Sequence, residues 1–196
     1  MKNLRGTKTA EYLLKSFAGE SQARNRYTYY ASIAKKESYV QTENIFTETA
    51  GNEKEHAERF FKFLANSDLN GEAVVINEAA YPIFLVKTKK NLLAGVAVEN
   101  EEWTTLYPHF GDIAEDEGFI DIAYVYRRIS EVEKRHEARY KKLAKNLDDG
   151  TVFIKNETIL WKCNNCGYIF EVNSSPEVCP ACAHPKAYFE MFSENY

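Results

Sequence analysis

Two Glu-x-x-His units, Glu53–His56 and Glu133–His136, lie 80 residues apart in this chain of 196 residues. Residues three apart share a helix face, so each unit presents a carboxylate and an imidazole in one direction. Glu20 and Glu99 stand in two further helical patterns. One Glu from each of two helices plus Glu-x-x-His from each of two others is the ligand set of a di-metal site in a four-helix bundle. Glu53 and Glu133 are the expected bridging carboxylates. So many carboxylates cannot enter a dry core unless cations neutralise them. Oxygen-rich ligation with two imidazoles suits iron or manganese. Glu102, three residues after Glu99, is a seventh candidate on the same face, whereas Glu101 points elsewhere. It gives one metal a choice between a hard carboxylate, which favours the ferric state, and the neutral imidazole of His56, which favours the ferrous state. Tyr27 and Tyr107 could donate hydrogen bonds to ligating carboxylates, with core packing as the competing reading of each. His109 and His184 lack ligand spacing within the bundle.

The four cysteines form two C-x-x-C pairs, Cys163/Cys166 and Cys179/Cys182. Clustered in this way they read as a tetrahedral tetrathiolate site rather than as disulfides. Zinc would make it a structural ribbon, and a single iron would make it a one-electron carrier. A neighbouring two-electron centre needs an electron supply, which tips the choice toward iron.

Four apolar stripes of helical period must position the first site, at about residues 9–36, 39–65, 88–117 and 119–147. The ligand candidates interrupt these stripes, where a helix of a soluble protein should not place carboxylates. The second and fourth stripes, with the residues leading into them, repeat at an offset of 80: Ala34 matches Ala114, Glu37 matches Glu117, and Arg59 matches Arg139. The first and third pair more loosely, Glu20 with Glu99. Two helical hairpins related by a pseudo-twofold follow, each supplying half a site. Short turns at Glu37-Ser38 and Gly118 close the hairpins. A long non-helical crossover at about residues 66–87, holding Gly71 and Pro82, joins them. The expected division is a bundle over residues 1–147, a linker over 148–157 and a cysteine domain over 158–196. That last piece is too small to fold without a metal staple.

The composition is 44% hydrophobic and 28% charged, and the net charge is −4. This argues against nucleic acid or an anionic membrane as the main partner. The longest apolar run, broken by Pro82, is too short to span a bilayer. The first residues lack the apolar stretch of a signal peptide, so a cytoplasmic location is expected.

The whole chain, from about Leu4 to Phe192, resembles the rubrerythrin family. The segment Ser16-Phe17-Ala18-Gly19-Glu20-Ser21-Gln22-Ala23-Arg24 is similar to its first-helix signature. Glu53-Lys54-Glu55-His56-Ala57, Glu99-Asn100-Glu101-Glu102 and Glu133-Lys134-Arg135-His136 resemble its ligand helices. Trp161 to Tyr168 and Cys179 to Lys186 resemble rubredoxin knuckles, and Phe189 occupies the usual aromatic position after the second. The resemblance implies an all-α four-helix ferritin-like bundle with one long crossover, followed by a small rubredoxin-like metal-stapled β domain. It implies a di-iron centre, one iron held by four cysteines, and reduction of hydrogen peroxide to water. Electrons would come from an NAD(P)H-linked reductase through the cysteine iron. It further implies one iron that moves between His56 and Glu102. Homodimers are implied too, with the cysteine site of one subunit near the bundle site of the other. Two other functions fit parts of the pattern. Ferroxidase or storage activity would need a hollow shell and neither Glu102 nor a cysteine domain. A pure electron carrier would need no working bundle site.

Overall fold

The structure is a computed structural model and describes residues 3–195. Helices α1 (Lys8–Lys36) and α2 (Val40–Ala65) form one hairpin. The second hairpin is α3 (Thr88–Glu101), a π-helical turn (Glu102–Leu106), α4 (Tyr107–Asp116) and α5 (Ile120–Asp148). Thr7 caps α1 by accepting from the Ala10 amide at 3.1 Å. Both hairpin turns pass through left-handed backbone, at Ser38 (φ 69°) and Gly118 (φ 85°). The hairpins clamp one another reciprocally. Glu117 accepts from the Thr9 amide at 2.8 Å, and Glu37 accepts from the Thr88 amide at 3.0 Å. Each carboxylate thus sits at the positive end of the other hairpin's first helix.

Every bundle helix carries a buried residue at two-turn intervals, with a ligand candidate at mid-height. The series are Leu13, Glu20, Tyr27, Ala34 on α1, Phe46, Glu53, Phe60 on α2, and Tyr126, Glu133, Tyr140 on α5. On the third helix the series is Leu92, Glu99, Tyr107, Ala114, so one step holds an extra residue. An uninterrupted helix over 88–117 would have carried Tyr107 off the core face. The π turn absorbs the extra residue: the Tyr107 amide donates to the Glu102 carbonyl, five residues back. Pro108, at the start of α4, has no amide to offer the preceding turn.

The carboxylates form a layer that divides the apolar interior in two. One cluster holds Leu13, Phe60, Tyr107, Phe110 and Tyr126; the other holds Tyr27, Phe46, Leu92, Tyr140 and Leu143. Each fully buried side chain of this size contributes roughly 1.5–3 kcal/mol. The crossover between the hairpins contains no regular element, and Asn91 clips its end by bonding the Val86 amide at 2.9 Å and its carbonyl at 2.8 Å.

Helix α5 continues to Asp148, and strand β1 (Ile154–Cys163) begins inside the expected linker. The connection is shorter than the sequence suggested because Ile154 pairs with Ser174 of β2 (Ile169–Ser174), ahead of a break in register before Ile159. With β3 (Phe189–Met191) the sheet has order β2-β1-β3, all antiparallel. Its core is small: Trp161, Cys163, Cys179 and Phe189. The domain packs at the tip of the first hairpin, where the Tyr39 and Phe153 rings stack at 6.2 Å.

Candidate metal centres

The mid-height layer brings six of the seven bundle candidates together in two overlapping sets. Glu20, Glu53, His56 and Glu133 form one; Glu53, Glu99, Glu133 and His136 form the other. In each set the donor atoms lie within 4.8 Å of one another. Glu53 and Glu133 belong to both, the arrangement expected of bridging carboxylates.

The donor atoms converge on points rather than on each other. His136 Nδ1 lies 2.7 Å from Glu133, 3.2 Å from Glu53 and 3.5 Å from Glu99, yet none of these contacts has hydrogen-bond geometry. Glu20 Oε2, Glu53 Oε1, Glu99 Oε2 and both Glu133 oxygens are likewise buried without a hydrogen bond. Burial, reinforced by Glu53, holds Glu20 and Glu99 well above the usual carboxylate range. Burial also raises Glu102, with Glu20 next in effect. Burial opposes the charge on Glu133 as well, but the His136 and His56 imidazoles hold it down to about 2. Orphaned oxygens around two shared points are what a pair of cations would satisfy.

The carboxylates are held from outside by tyrosines in a crossed pattern. Tyr27 of α1 donates to Glu99 of α3, and Tyr107 of α4 donates to Glu20 of α1 at 2.5 Å. Glu102 is buried but lies outside both four-residue sets, whereas Glu101 is exposed. Glu102 lines a cavity of about 370 Å³ with Lys15, Gly19, Tyr107 and, from the crossover, Tyr81. The helix register places Ala23, also buried, where Glu102 would have a counterpart on α1. Of the remaining histidines, His109 lies tilted against the Tyr12 ring at 5.6 Å and His184 bonds the Cys182 carbonyl.

Sequence reasoning passed over three contributors. Asn52 Oδ1 lies 3.3 Å from the outer nitrogen of His136. Gly95 gives the Tyr140 ring room beside Tyr27. Glu137 is buried and accepts from Asn100 at 2.9 Å and Trp103 at 2.8 Å, tying α5 to the π turn. Glu137 carried a signal: it follows His136 directly and falls on the face toward the third helix. Asn52 and Gly95 act through neighbours that only the fold reveals.

The four cysteines also converge. Cys163 and Cys182 sulfurs are 3.7 Å apart, as are those of Cys166 and Cys179. A tetrahedron with metal–sulfur bonds of about 2.3 Å has edges of about 3.8 Å. The His184 amide at its sulfur holds Cys182 down to about 6. Cys166 is pushed up to about 12 although the Tyr168 amide favours its thiolate, because the other sulfurs crowd it. One cation relieves that crowding.

These features define a ferritin-like bundle with a carboxylate–histidine centre, joined to a rubredoxin-like domain. The chain belongs to the rubrerythrin family. The family model described as Rubrerythrin matches residues 11–144, and that of the rubrerythrin rubredoxin-like domain matches residues 161–190. Rubrerythrin-1 of Clostridium acetobutylicum is 62% identical over 196 residues, covering 100% of both chains. Rubrerythrin of Nitratidesulfovibrio vulgaris is 47% identical over 197 residues, again with 100% of both covered. A solved structure of partially reduced nigerythrin superposes with a TM-score of 0.63 at 26% identity, over 97% of this chain and 92% of that one. The cofactors are two non-haem irons in the bundle and one iron at Cys163, Cys166, Cys179 and Cys182. No helix among the described residues is long and apolar enough to cross a membrane.

Proposed function

We propose that this chain is a cytoplasmic peroxidase that reduces hydrogen peroxide to water and protects against oxidative stress. Its bundle irons are held by Glu20, Glu53, His56, Glu99, Glu133 and His136, with Glu102 as the alternative ligand to His56. The observation that carries the reading is Glu102, a buried carboxylate beside a complete six-ligand set and at the wall of a cavity. A site that merely stores iron has no use for it. Two ferrous ions held by these residues would supply the two electrons needed to cleave the O–O bond.

The protein's own groups do the rest. Tyr27 and Tyr107 fix Glu99 and Glu20 from outside, so the carboxylates keep their orientation while the ion charges change. Glu102 lines the cavity, where its carboxyl is placed to pass the protons that complete two waters, while the Tyr107 hydroxyl stays committed to Glu20. The hydrocarbon clusters above and below the layer keep bulk water from the remaining ligands.

An iron held by Cys163, Cys166, Cys179 and Cys182 would supply one-electron relay from an NAD(P)H-dependent reductase. The cysteine domain touches its own bundle at Tyr39. Along α2, Tyr39 is about 21 Å from Glu53 at 1.5 Å per residue. That separation supports a homodimer in which each cysteine domain serves the partner's bundle.

Anaerobic mixing of the reduced protein with peroxide or with O2 tests the activity. Peroxide should oxidise the bundle irons much the faster. Equal rates, with a particle of ferritin-shell size on gel filtration, would make the protein a ferroxidase instead.

A further inference from the structure

The two metal-binding histidines are not held alike. His136 is pinned on its far side: with Asn52 Oδ1 at 3.3 Å, its Nε2 carries the proton and donates, which leaves Nδ1 facing the carboxylates. His56 has no such partner among the described residues, and its side chain is 13% exposed against 3% for His136. The 80-residue repeat gives the reason. Asn52 precedes Glu53 as Val132 precedes Glu133. The pseudo-twofold that relates the half-sites therefore puts a side chain with no polar atom where His56 would find its anchor.

We propose that Asn52 is a positioning residue that locks the tautomer and orientation of His136. With valine at the equivalent place, His56 is the imidazole left free to leave its ion. The difference between positions 52 and 132 thus decides which half of the site keeps its histidine. This rests on the reading of the carboxylate–histidine layer as the di-iron centre. Outer-sphere partners of ligating histidines typically govern metal affinity by 10–100-fold.

The test uses the full-length, iron-loaded protein with Asn52→Val, Asn52→Gln and Val132→Asn. Iron affinity is read by competition with a chelator, and the two ferrous environments by Mössbauer spectroscopy of the reduced protein. Asn52→Val should weaken one of the two bundle irons 10–100-fold and shift one quadrupole doublet. Asn52→Gln, which can still offer an oxygen, should restore both. Val132→Asn should tighten the other iron and shift the other doublet. Wild-type affinity and spectra in both Asn52→Val and Val132→Asn would overturn the proposal. If Asn52→Val does not fold, an unchanged Val132→Asn overturns it alone. Wild-type protein that binds no iron in the bundle would overturn the reading of the centre instead.

Discussion

Gly95 of α3 and Tyr140 of α5 meet with no room for a methyl group between them. A Cβ on Gly95 would stand 2.8 Å from Cδ2 and 2.9 Å from Cε2 of the ring. The ring cannot retreat, because Tyr27 packs edge-on at 5.4 Å and Phe46 lies at 5.0 Å. Tyr27 is the residue that holds Glu99, so the packing reaches the ligand layer in two contacts.

Gly95→Ala should therefore destabilise the bundle although alanine is the better helix former. Overpacking typically costs about 1–3 kcal/mol, against a gain of about 1 kcal/mol in propensity. Gly51→Ala is the control, at an exposed helical glycine where an added Cβ would meet nothing within 4 Å. Thermal denaturation should show a lowered midpoint for the first and an unchanged or raised one for the second. Equal effects would remove the steric argument.

Protein stripped of metal by a chelator should become less stable as pH rises from about 5 to 8. Glu20, Glu99 and Glu102, raised by burial and by their carboxylate neighbours, stay protonated in the fold where the unfolded chain has released its protons. His56 acts in the same direction. Burial opposes its charge, but Glu133 and Glu53 raise it to about 10, so its contribution is full below the unfolded value and is lost as pH climbs toward 10. Glu133, held at about 2, works oppositely, and its contribution disappears only as pH falls through that value. Urea midpoints read from the helix signal at three pH values check this. With metal restored the trend should reverse at the acid end, because protons then compete with cations for the ligands. Stripped protein more stable at pH 8 than at pH 5 would refute the assignment.

Cys166→Ser should abolish peroxide turnover driven by NAD(P)H and its reductase. It should leave intact a single turnover by bundle irons reduced chemically. Losing its metal staple would disturb the small cysteine domain, but that domain's core is separate from the bundle's two clusters, so the bundle should be spared. Metal analysis should fall from about three irons per chain to two. Loss of single-turnover oxidation as well would mean that the centres are not separable.

Ser38 and Gly118 occupy equivalent turns with φ of 69° and 85°. Left-handed backbone costs a residue with a Cβ about 1 kcal/mol or more. Ser38→Gly should raise stability and Gly118→Ser lower it, each by about 1 kcal/mol. Midpoints that move in the same direction would contradict the equivalence.

The spacing of Glu53, His56, Glu133 and His136 was enough to read the bundle and its paired half-sites, because ligands that interrupt an apolar stripe leave a periodic trace. The fold class and the cysteine staple were legible for the same reason. The π turn left a fainter trace. Glu53 and Glu133 are 80 residues apart, as are Tyr27 and Tyr107, but Glu20 and Glu99 are 79 apart. One residue is thus added between Glu99 and Tyr107, where the π turn lies. Asn52 could not be read in advance, since its role depends on a contact across helices that are 84 residues apart at His136. The early start of β1 was hidden by the polar residues around Ile154, whose partner Ser174 lies on another strand.

That added residue also speaks to descent. The two hairpins have the marks of a duplication, and an ancestor with identical halves would have held its metals in a site without direction. The halves now differ in length by one residue between ligand and tyrosine, yet every ligand of the symmetric set is in place in both. Deleting one residue from the turn at Glu102–Leu106 would return the tyrosine after Glu99 to the seven-residue spacing of Glu20 and Tyr27, while Glu102 and the pair Asn52 and Val132 would still keep the two halves distinct.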